Sequence, residues 1–358
     1  MSAVLTIQSR SHPYTVETFD SLGEALAATP AAAAGTLCLA DRAVHAHYHV
    51  DFERCLPPER ILLVEASEEA KSFEAMAPVF TWLLRRGFKR DGCLLVVGGG
   101  VLQDIGCFAA SVLMRGVRWE LLPTTLLAQC DSCIGSKSSL NLQLFKNQIG
   151  TFYPPHRVLL AHGVLRTLPW DEIRSGLGEV IKLHLLAGEQ PFAELMDSLA
   201  ALPGDDSMLP RWVLSSLRIK QTYIEPDEFD RGIRNLLNYG HTFGHAYESA
   251  THYEIPHGIA VTLGMLTATW VSVRLGLVDA SHYAAMKDRL RPWHEPYGSR
   301  LKSVELSAVL DAIKLDKKAT RSALHCILTR GIGRMEKISV DLESQLRPAL
   351  GELIAREI

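Results

Sequence analysis

Apolar positions in the first part of the chain fall into short unbroken runs: TLCLADRAV, ILLVEA and CLLVVGGG. Between the last two, SFEAMAPVFTWLLRRGF repeats its apolar residues at intervals of three and four, the spacing of an amphipathic helix. Strand-like runs alternating with helical patterns predict βαβ units around a parallel sheet. From about Leu168 the texture changes, and EIRSGLGEVIKLHLL, MLPRWVLSSLRIKQTYI, GIAVTLGMLTATWVSVRLG and HYAAMKDRLRPW all carry helical spacing. The second half is therefore predicted to be mostly α-helical, with a hairpin in SALHCILTRGIGRMEKISV, where two apolar runs flank a glycine-containing break. AATPAAAAG (27–35) reads as a helix end and loop, and no repeat or low-complexity segment appears. The predicted fold is an α/β nucleotide-binding domain with a parallel sheet over 1–165, followed by a mainly helical metal- and substrate-binding domain over 166–358.

A chain of 358 residues can bury a large core, and two domains suit that length better than one. The formal net charge of -3 gives no whole-chain field for nucleic acid or an anionic membrane surface, so any anion site must be local. The opening MSAVLTIQSRSHPY lacks a basic start followed by an apolar run, and no segment is long and apolar enough to span a bilayer; a cytoplasmic protein is expected. Seven scattered cysteines read as reduced thiols. Cys130 and Cys133 form a CxxC, but no second pair or flanking histidine completes a site, and buried packing residues are the simpler reading.

Candidate chemistry gathers in three places. Gly98-Gly99-Gly100 follows a strand-like run and opens a helical pattern containing Asp104, where backbone N–H groups could approach a phosphate. The stretch from Pro123 to Pro155 places Thr124, Thr125, Asp131, Lys137, Asn141, Lys146 and Asn147 among glycines and serines, which suits a phosphorylated ligand. RGIRNLLNYGHTFGHAYESATHYEIPHG puts His241 and His245 one helical turn apart, with His257 downstream, and GLGEVIK puts Glu179 and Lys182 on one helix face. A glutamate and two histidines are a common catalytic zinc shell, although spacing alone does not choose between His241 and His245.

These residues carry a resemblance. GGGVLQD, MRG, PTTLLAQCDS, GSKSSLN, KNQIGTFYPP, GLGEVIK, DEFDRGIRNLLNYGHTFGHAYE, IPHG and LDKK are similar, in order from about Glu68 to Lys318, to the dehydroquinate synthase and sugar-phosphate cyclase family. The resemblance implies Glu179, His241 and His257 as ligands of zinc or cobalt, and His245 as a phosphate or proton-transfer residue. It implies Asp41, Glu68, Lys71, Gly99, Gly100, Asp104, Thr124, Thr125, Lys137, Lys146, Thr167, Leu168 and Glu172 along NAD. Asp131, Lys137, Lys146, Asn147, Lys182, Lys220, Arg234, Asn238 and one of Lys317 or Lys318 would surround the substrate, with Arg115 reaching in from the partner of a homodimer.

The implied reaction is a transient oxidation by NAD, loss of phosphate, return of the hydride, ring opening and an aldol closure, leaving NAD unchanged. Lys220 and Arg234 stand where the family binds a substrate carboxylate, favouring a seven-carbon keto-acid phosphate such as 3-deoxy-arabino-heptulosonate 7-phosphate. Against Arg234, a structural ion pair with Asp227, Glu228 or Asp230 is the alternative. The chain departs from the family pattern at Gln103, where a small residue is usual, at Ser136 and Ser138 around Lys137, and at Ile259, where Glu usually follows His-Gly. Such departures fit a divergent cyclase of secondary metabolism acting on an amino or neutral sugar phosphate. The remaining rivals are a metal-dependent alcohol dehydrogenase, which has no use for the basic cage, and a non-catalytic metabolite-binding protein.

Overall fold

The computed structural model describes residues 4–29, 35–143, 145–199, 202, 206–301, 304–315 and 323–357. The chain divides into two compact units, Met1–Pro169 with Ile224–Phe229, and Trp170–Tyr223 with Asp230–Ile358.

The first unit is built on strands β1 (Leu5–Ile7), β2 (Tyr14–Phe19), β3 (Thr36–Asp41), β4 (Ile61–Val64), β5 (Cys93–Gly98), β6 (Arg118–Pro123), β7 (Leu140–Leu142), β8 (Phe145–Ile149) and β9 (Arg157–Ala161). Seven of them form one sheet in the order β1-β2-β9-β6-β5-β3-β4, parallel throughout except for β1 against β2. β7 and β8 pair separately as an antiparallel ribbon. Helices α1 (Leu22–Ala27), α2 (Arg42–Cys55), α3 (Met76–Arg85) and α4 (Gly100–Val112) connect the strands. Every residue of β5 is buried, as expected for a central parallel strand covered on both faces, and this is why CLLVVG is an unbroken apolar run. The chain passes from β3 to β4 on one side and then returns to β5 on the other. That reversal leaves a crevice outside the carboxyl ends of β3 and β5, where Asp41 and Gly98 stand.

The β1–β2 pair and β9 extend the sheet beyond the strands picked out by apolar runs. β6 escapes that pattern because Glu120 is fully buried within it, held by Arg118 at 2.7 Å and Arg157 at 3.3 Å. The acidic loop 224–229 belongs to this unit: Glu225 accepts from the Gln8 amide, and Glu228 accepts from the Ser9 hydroxyl and the Arg10 amide.

The second unit contains α5 (Trp170–Ala187), α6 (Glu189–Leu199), α7 (Leu209–Ile224), α8 (His241–Ala250), α9 (His257–Arg274), α10 (Ala280–His294), α11 (Gly298–Leu301), α12 (Leu306–Leu315) and α13 (Arg347–Glu357). A hairpin of β10 (Ala323–Thr329) and β11 (Met335–Asp341) lies where two apolar runs flank Gly331 and Gly333. α9 is the central helix, buried on all sides from Gly258 to Thr269. Its polar side chains are satisfied within the core: Thr269 pairs with Tyr239 and Thr267 with Tyr247, while Ser272 donates to the Ala268 carbonyl. No helix among the described residues is long and apolar enough to cross a membrane.

Helices α5 and α9 meet backbone to backbone. A Cβ on Gly258 would lie 1.7 Å from the Ser175 carbonyl oxygen, and one on Gly178 would lie 2.1 Å from the Gly258 carbonyl. The same close approach lets the Gly258 amide donate to Ser175 Oγ at 3.0 Å. Gly258→Ala must push the two helices apart and is expected to cost about 3 kcal/mol or more of stability, at the upper end of overpacking penalties. Gly188→Ala, with a positive φ of 123° but open space around it, should lose only about 1 kcal/mol. Chemical denaturation of the two variants checks the difference.

Candidate functional site

Glycine contacts bring three helices together around one carboxylate. Glu179 follows Gly178 on α5 and is 1% exposed; His241 opens α8 and His257 opens α9. Glu179 Oε1 lies 3.4 Å from His241 Nε2 and 3.2 Å from His257 Nε2, while Oε2 is paired with the buried Lys182 ammonium. The Nδ1 atoms of both histidines face acceptors: the Tyr239 carbonyl at 3.4 Å for His241, and the Glu248 carboxylate oxygens at 3.3 Å each for His257. Carbonyls and carboxylates only accept, so Nδ1 carries the proton in each neutral ring and Nε2 turns its lone pair toward Glu179. Two lone pairs facing an anionic oxygen at this range repel unless a cation is shared among them.

That cation can be a proton or a metal ion. Ligands on a tetrahedral zinc stand about 3.3–3.4 Å apart, given metal–ligand bonds of about 2.0–2.1 Å. The two separations at Glu179 match this, and one carboxylate with two imidazoles is a donor set suited to a divalent ion with a position left open. With a proton instead, burial works against charge on His257, but the hydrogen bonds its ring donates to Glu179 and Glu248 outweigh it and raise the ring to about 10.

His245 lies one turn along α8, its ring 5.4 Å from that of His241 and 5.6 Å from that of His257. Ligand atoms of the three histidines lie within 4.8 Å of one another, so a three-histidine set also exists. His245 is solvent-exposed, whereas Glu179 is fully buried at the shorter distances. Lys220 on α7 and Arg234 in the turn Ile233–Asn238 are both buried, 6% and 5% exposed, and Asn238 donates to the Asn235 carbonyl. Lys317 and Lys318 lie outside the described residues.

In the first unit, Gly99 caps α4, and a Cβ there would meet Thr125 Cγ2 at 2.8 Å, so the glycine turn packs directly on the segment after β6. Thr124 donates its amide to Gly98, and Thr125 Oγ1 accepts from Ala128. Asp41 caps α2 by accepting the Ala43 amide at 2.8 Å. Lys71, Asp104 and Asn147 form one network: Lys71 Nζ is 2.7 Å from Asp104 and donates to Asn147 at 2.8 Å, while Ser139 donates to Asp104. Burial pushes the Asp104 carboxyl up, and the Lys71 ammonium offsets part of this. Glu68 accepts from Asn141 and faces Lys146 at 3.7 Å. Residues assigned by resemblance partly to NAD and partly to substrate thus share one polar network, which Ser139 and Asn141 complete. Thr167 and Leu168 end the turn after β9, with Thr167 Oγ1 donating to Val164; Glu172, in the second unit, lies exposed in the first turn of α5.

Each departure from the family pattern has a structural counterpart. Gln103 is buried and clamps Ser132, donating to its carbonyl at 2.5 Å and accepting from its hydroxyl at 2.7 Å. Ser132 closes the π-helical turn Ala128–Ser132 that carries Asp131. Ser138 Oγ accepts from the Thr151 amide. Ile259 is fully buried, and the carboxylate that contacts His257 comes instead from Glu248, which no spacing argument had assigned a role. Glu248 lies seven residues after His241 and three after His245, on one helix face, and that register is the signal that could have found it. Cys130 and Cys133 are buried, their thiols directed at the carbonyls of Leu127 and Gln129.

Ser136 adopts φ 62°, and its buried hydroxyl has no hydrogen-bond partner among the described residues. Left-handed backbone costs a non-glycine residue about 1–2 kcal/mol, and an unsatisfied buried hydroxyl adds to it. Ser136→Gly removes both penalties against the greater chain entropy of glycine, so it should stabilise the protein by about 1 kcal/mol. A urea midpoint shifted upward checks this; an unchanged or lower midpoint contradicts it.

The family description for the 3-dehydroquinate synthase N-terminal region matches residues 61–175, and that for its C-terminal region matches residues 176–319. The 3-dehydroquinate synthase of Dictyoglomus thermophilum is 36% identical over 309 residues, covering 85% of this chain and 84% of its own length. That of Acidithiobacillus ferrooxidans is 39% identical over 280 residues, covering 77% and 76%. Among solved structures, a 2-deoxy-scyllo-inosose synthase complexed with carbaglucose-6-phosphate, NAD+ and Co2+ shares the fold at a TM-score of 0.87 and 23% identity, over 97% of this chain and 99% of its own. The 2-epi-5-epi-valiolone synthase of Streptomyces hygroscopicus, solved with NAD+ and Zn2+, aligns at 0.79 with 27% identity, over 100% and 99%. The chain belongs to the 3-dehydroquinate synthase family.

Proposed function

We propose that this protein is a phosphate-eliminating cyclase that closes 3-deoxy-arabino-heptulosonate 7-phosphate, or a close keto-acid analogue, into a carbocycle, a reading supported by its relatives named 3-dehydroquinate synthase. The observation that carries the reading is the buried Glu179 carboxylate facing the Nε2 atoms of His241 and His257 at tetrahedral ligand spacing. Two solved relatives hold NAD+ with Co2+ or Zn2+, which supports NAD and a divalent ion here. When bound, the ion supplies a Lewis acid for a substrate hydroxyl and NAD a hydride acceptor that ends the cycle unchanged.

The chain's own residues divide the remaining work. Lys182, fixed on Glu179, offers an ammonium beside the ligand set. Lys220 and Arg234 are buried cations, and a guanidinium fork with an ammonium suits a carboxylate, which favours an acidic substrate over a neutral sugar. Lys137, Lys146 and Asn147 supply ammonium and amide donors suited to a phosphate. His245, exposed on α8 one turn from His241, takes the role of holding the phosphate or transferring a proton. The glycine turn at Gly99 and the Lys71–Asp104 pair belong to the nucleotide-binding role. Arg115 is exposed at φ 67°, between Met114 at φ 51° and Gly116 at φ 114°. A strained, outward-facing turn of this kind supports the reading that Arg115 is presented to a second subunit of a homodimer.

Purified protein incubated with NAD, Zn2+ and the seven-carbon keto-acid phosphate is expected to release one inorganic phosphate per product as a dimer in sedimentation, with no net NADH at 340 nm. Arg234→Met should raise KM at least about tenfold by removing a charge-assisted pair. Phosphate release from neutral sugar phosphates alone would favour the inosose- and valiolone-type activity. Net NADH from a simple alcohol would favour a dehydrogenase.

A further inference from the structure

The Glu248 carboxylate lies outside the proposed ligand set, yet both of its oxygens stand 3.3 Å from His257 Nδ1. Glu248 is 13% exposed and His257 32% exposed, so the contact is largely withdrawn from water. On the other side of the same ring, Nε2 faces Glu179 at 3.2 Å. An ionised carboxylate can only accept, so this contact forces the Nδ1–H tautomer and fixes the rotation of the ring. The Glu248 backbone adds to the effect, because its carbonyl accepts from the Tyr253 amide at 2.7 Å and so ties down the turn leading to His257. That turn holds His252 and Tyr253 at positive φ, 51° and 63°, a geometry that needs such anchoring.

We infer that Glu248 is a positioning residue for metal binding: it holds His257 as the Nδ1–H tautomer so that Nε2 is presented toward Glu179. The inference rests on the metal reading proposed above. It also accounts for the tolerance of Ile259, since His257 takes its carboxylate partner from α8 and the position after Gly258 is left to apolar packing.

The test measures Zn2+ and Co2+ affinity by chelator competition, and the Co2+ absorption spectrum, on the full chain. Glu248→Ala should bind metal about 10–100-fold more weakly while remaining folded, the usual effect of losing a carboxylate behind a ligating histidine. Glu248→Gln, whose amide oxygen still accepts but carries no charge, should fall between Glu248→Ala and the unaltered protein. Glu254→Ala serves as a control, because Glu254 pairs with Arg300 on the same turn, is exposed and does not touch the ligands; it should leave affinity unchanged. A folded Glu248→Ala protein with unaltered affinity overturns the inference. If that variant does not fold, 15N NMR of histidine-labelled, Zn2+-loaded unaltered protein decides the matter: a proton on His257 Nδ1 supports the inference and a proton on Nε2 overturns it. Failure of the unaltered protein to bind either metal would overturn the metal reading itself, and the inference with it.

Discussion

A carboxylate taken almost wholly out of water is costly unless its charge is answered on every side, and Glu179 is the point on which the second unit turns. Lys182 answers one oxygen. The other faces two imidazole nitrogens whose protons are drawn to the far side of their rings by Tyr239 and Glu248. A shared cation is what relieves that arrangement, and the packing of three helices exists to hold it. α5 and α9 touch through Gly178, Gly258 and Ser175, and Gly264 admits the backbone of Gly240 just ahead of His241, so the ligand-bearing ends are positioned by main chain rather than by long side chains.

The first unit answers a different requirement. Its glycine turn lies against Thr125, and its cations are engaged in advance: Lys71 with Asp104 and Asn147, Lys146 with Glu68. Such a network keeps charged groups ordered without leaving any of them buried and unanswered. The strain at Ser136, next to Lys137, and at Arg115 is concentrated where the proposed chemistry needs side chains held in uncommon directions.

Much of this was legible in the sequence, for physical reasons. β4, a half-buried edge strand, is marked by its short ILLV run alone. β3 and β5 announce themselves because parallel strands covered on both faces are apolar almost throughout, and α5 and α9 because helices buried on nearly every side are long runs of apolar and small residues. β6 did not, since a buried Glu120 between two arginines breaks the pattern that burial normally writes. β1 has only three residues, and β2 alternates buried and half-buried positions beside it at one edge, where apolar runs are not required. The one-turn spacing of His241 and His245, with His257 downstream and Glu179 beside Lys182, gave the candidate ligands, but the choice of His241 over His245 came from resemblance, not spacing. Glu248 stayed hidden because its contact with His257 is made across a turn whose left-handed residues, His252 and Tyr253, carry no glycine to mark it. The departures at Gln103 and Ile259 looked like losses in the sequence. In the folded chain, one is a clamp on the turn bearing Asp131 and the other is core packing.

The central claim is that Glu179, His241 and His257 share one divalent ion. Anomalous diffraction from crystals grown with Zn2+, recorded on both sides of the zinc edge, tests it most directly. The account predicts a single strong peak about 2 Å from Glu179 Oε1 and from the Nε2 atoms of His241 and His257, with His245 outside bonding range. A peak ligated by His241, His245 and His257 without Glu179, or no peak near these side chains, would contradict it.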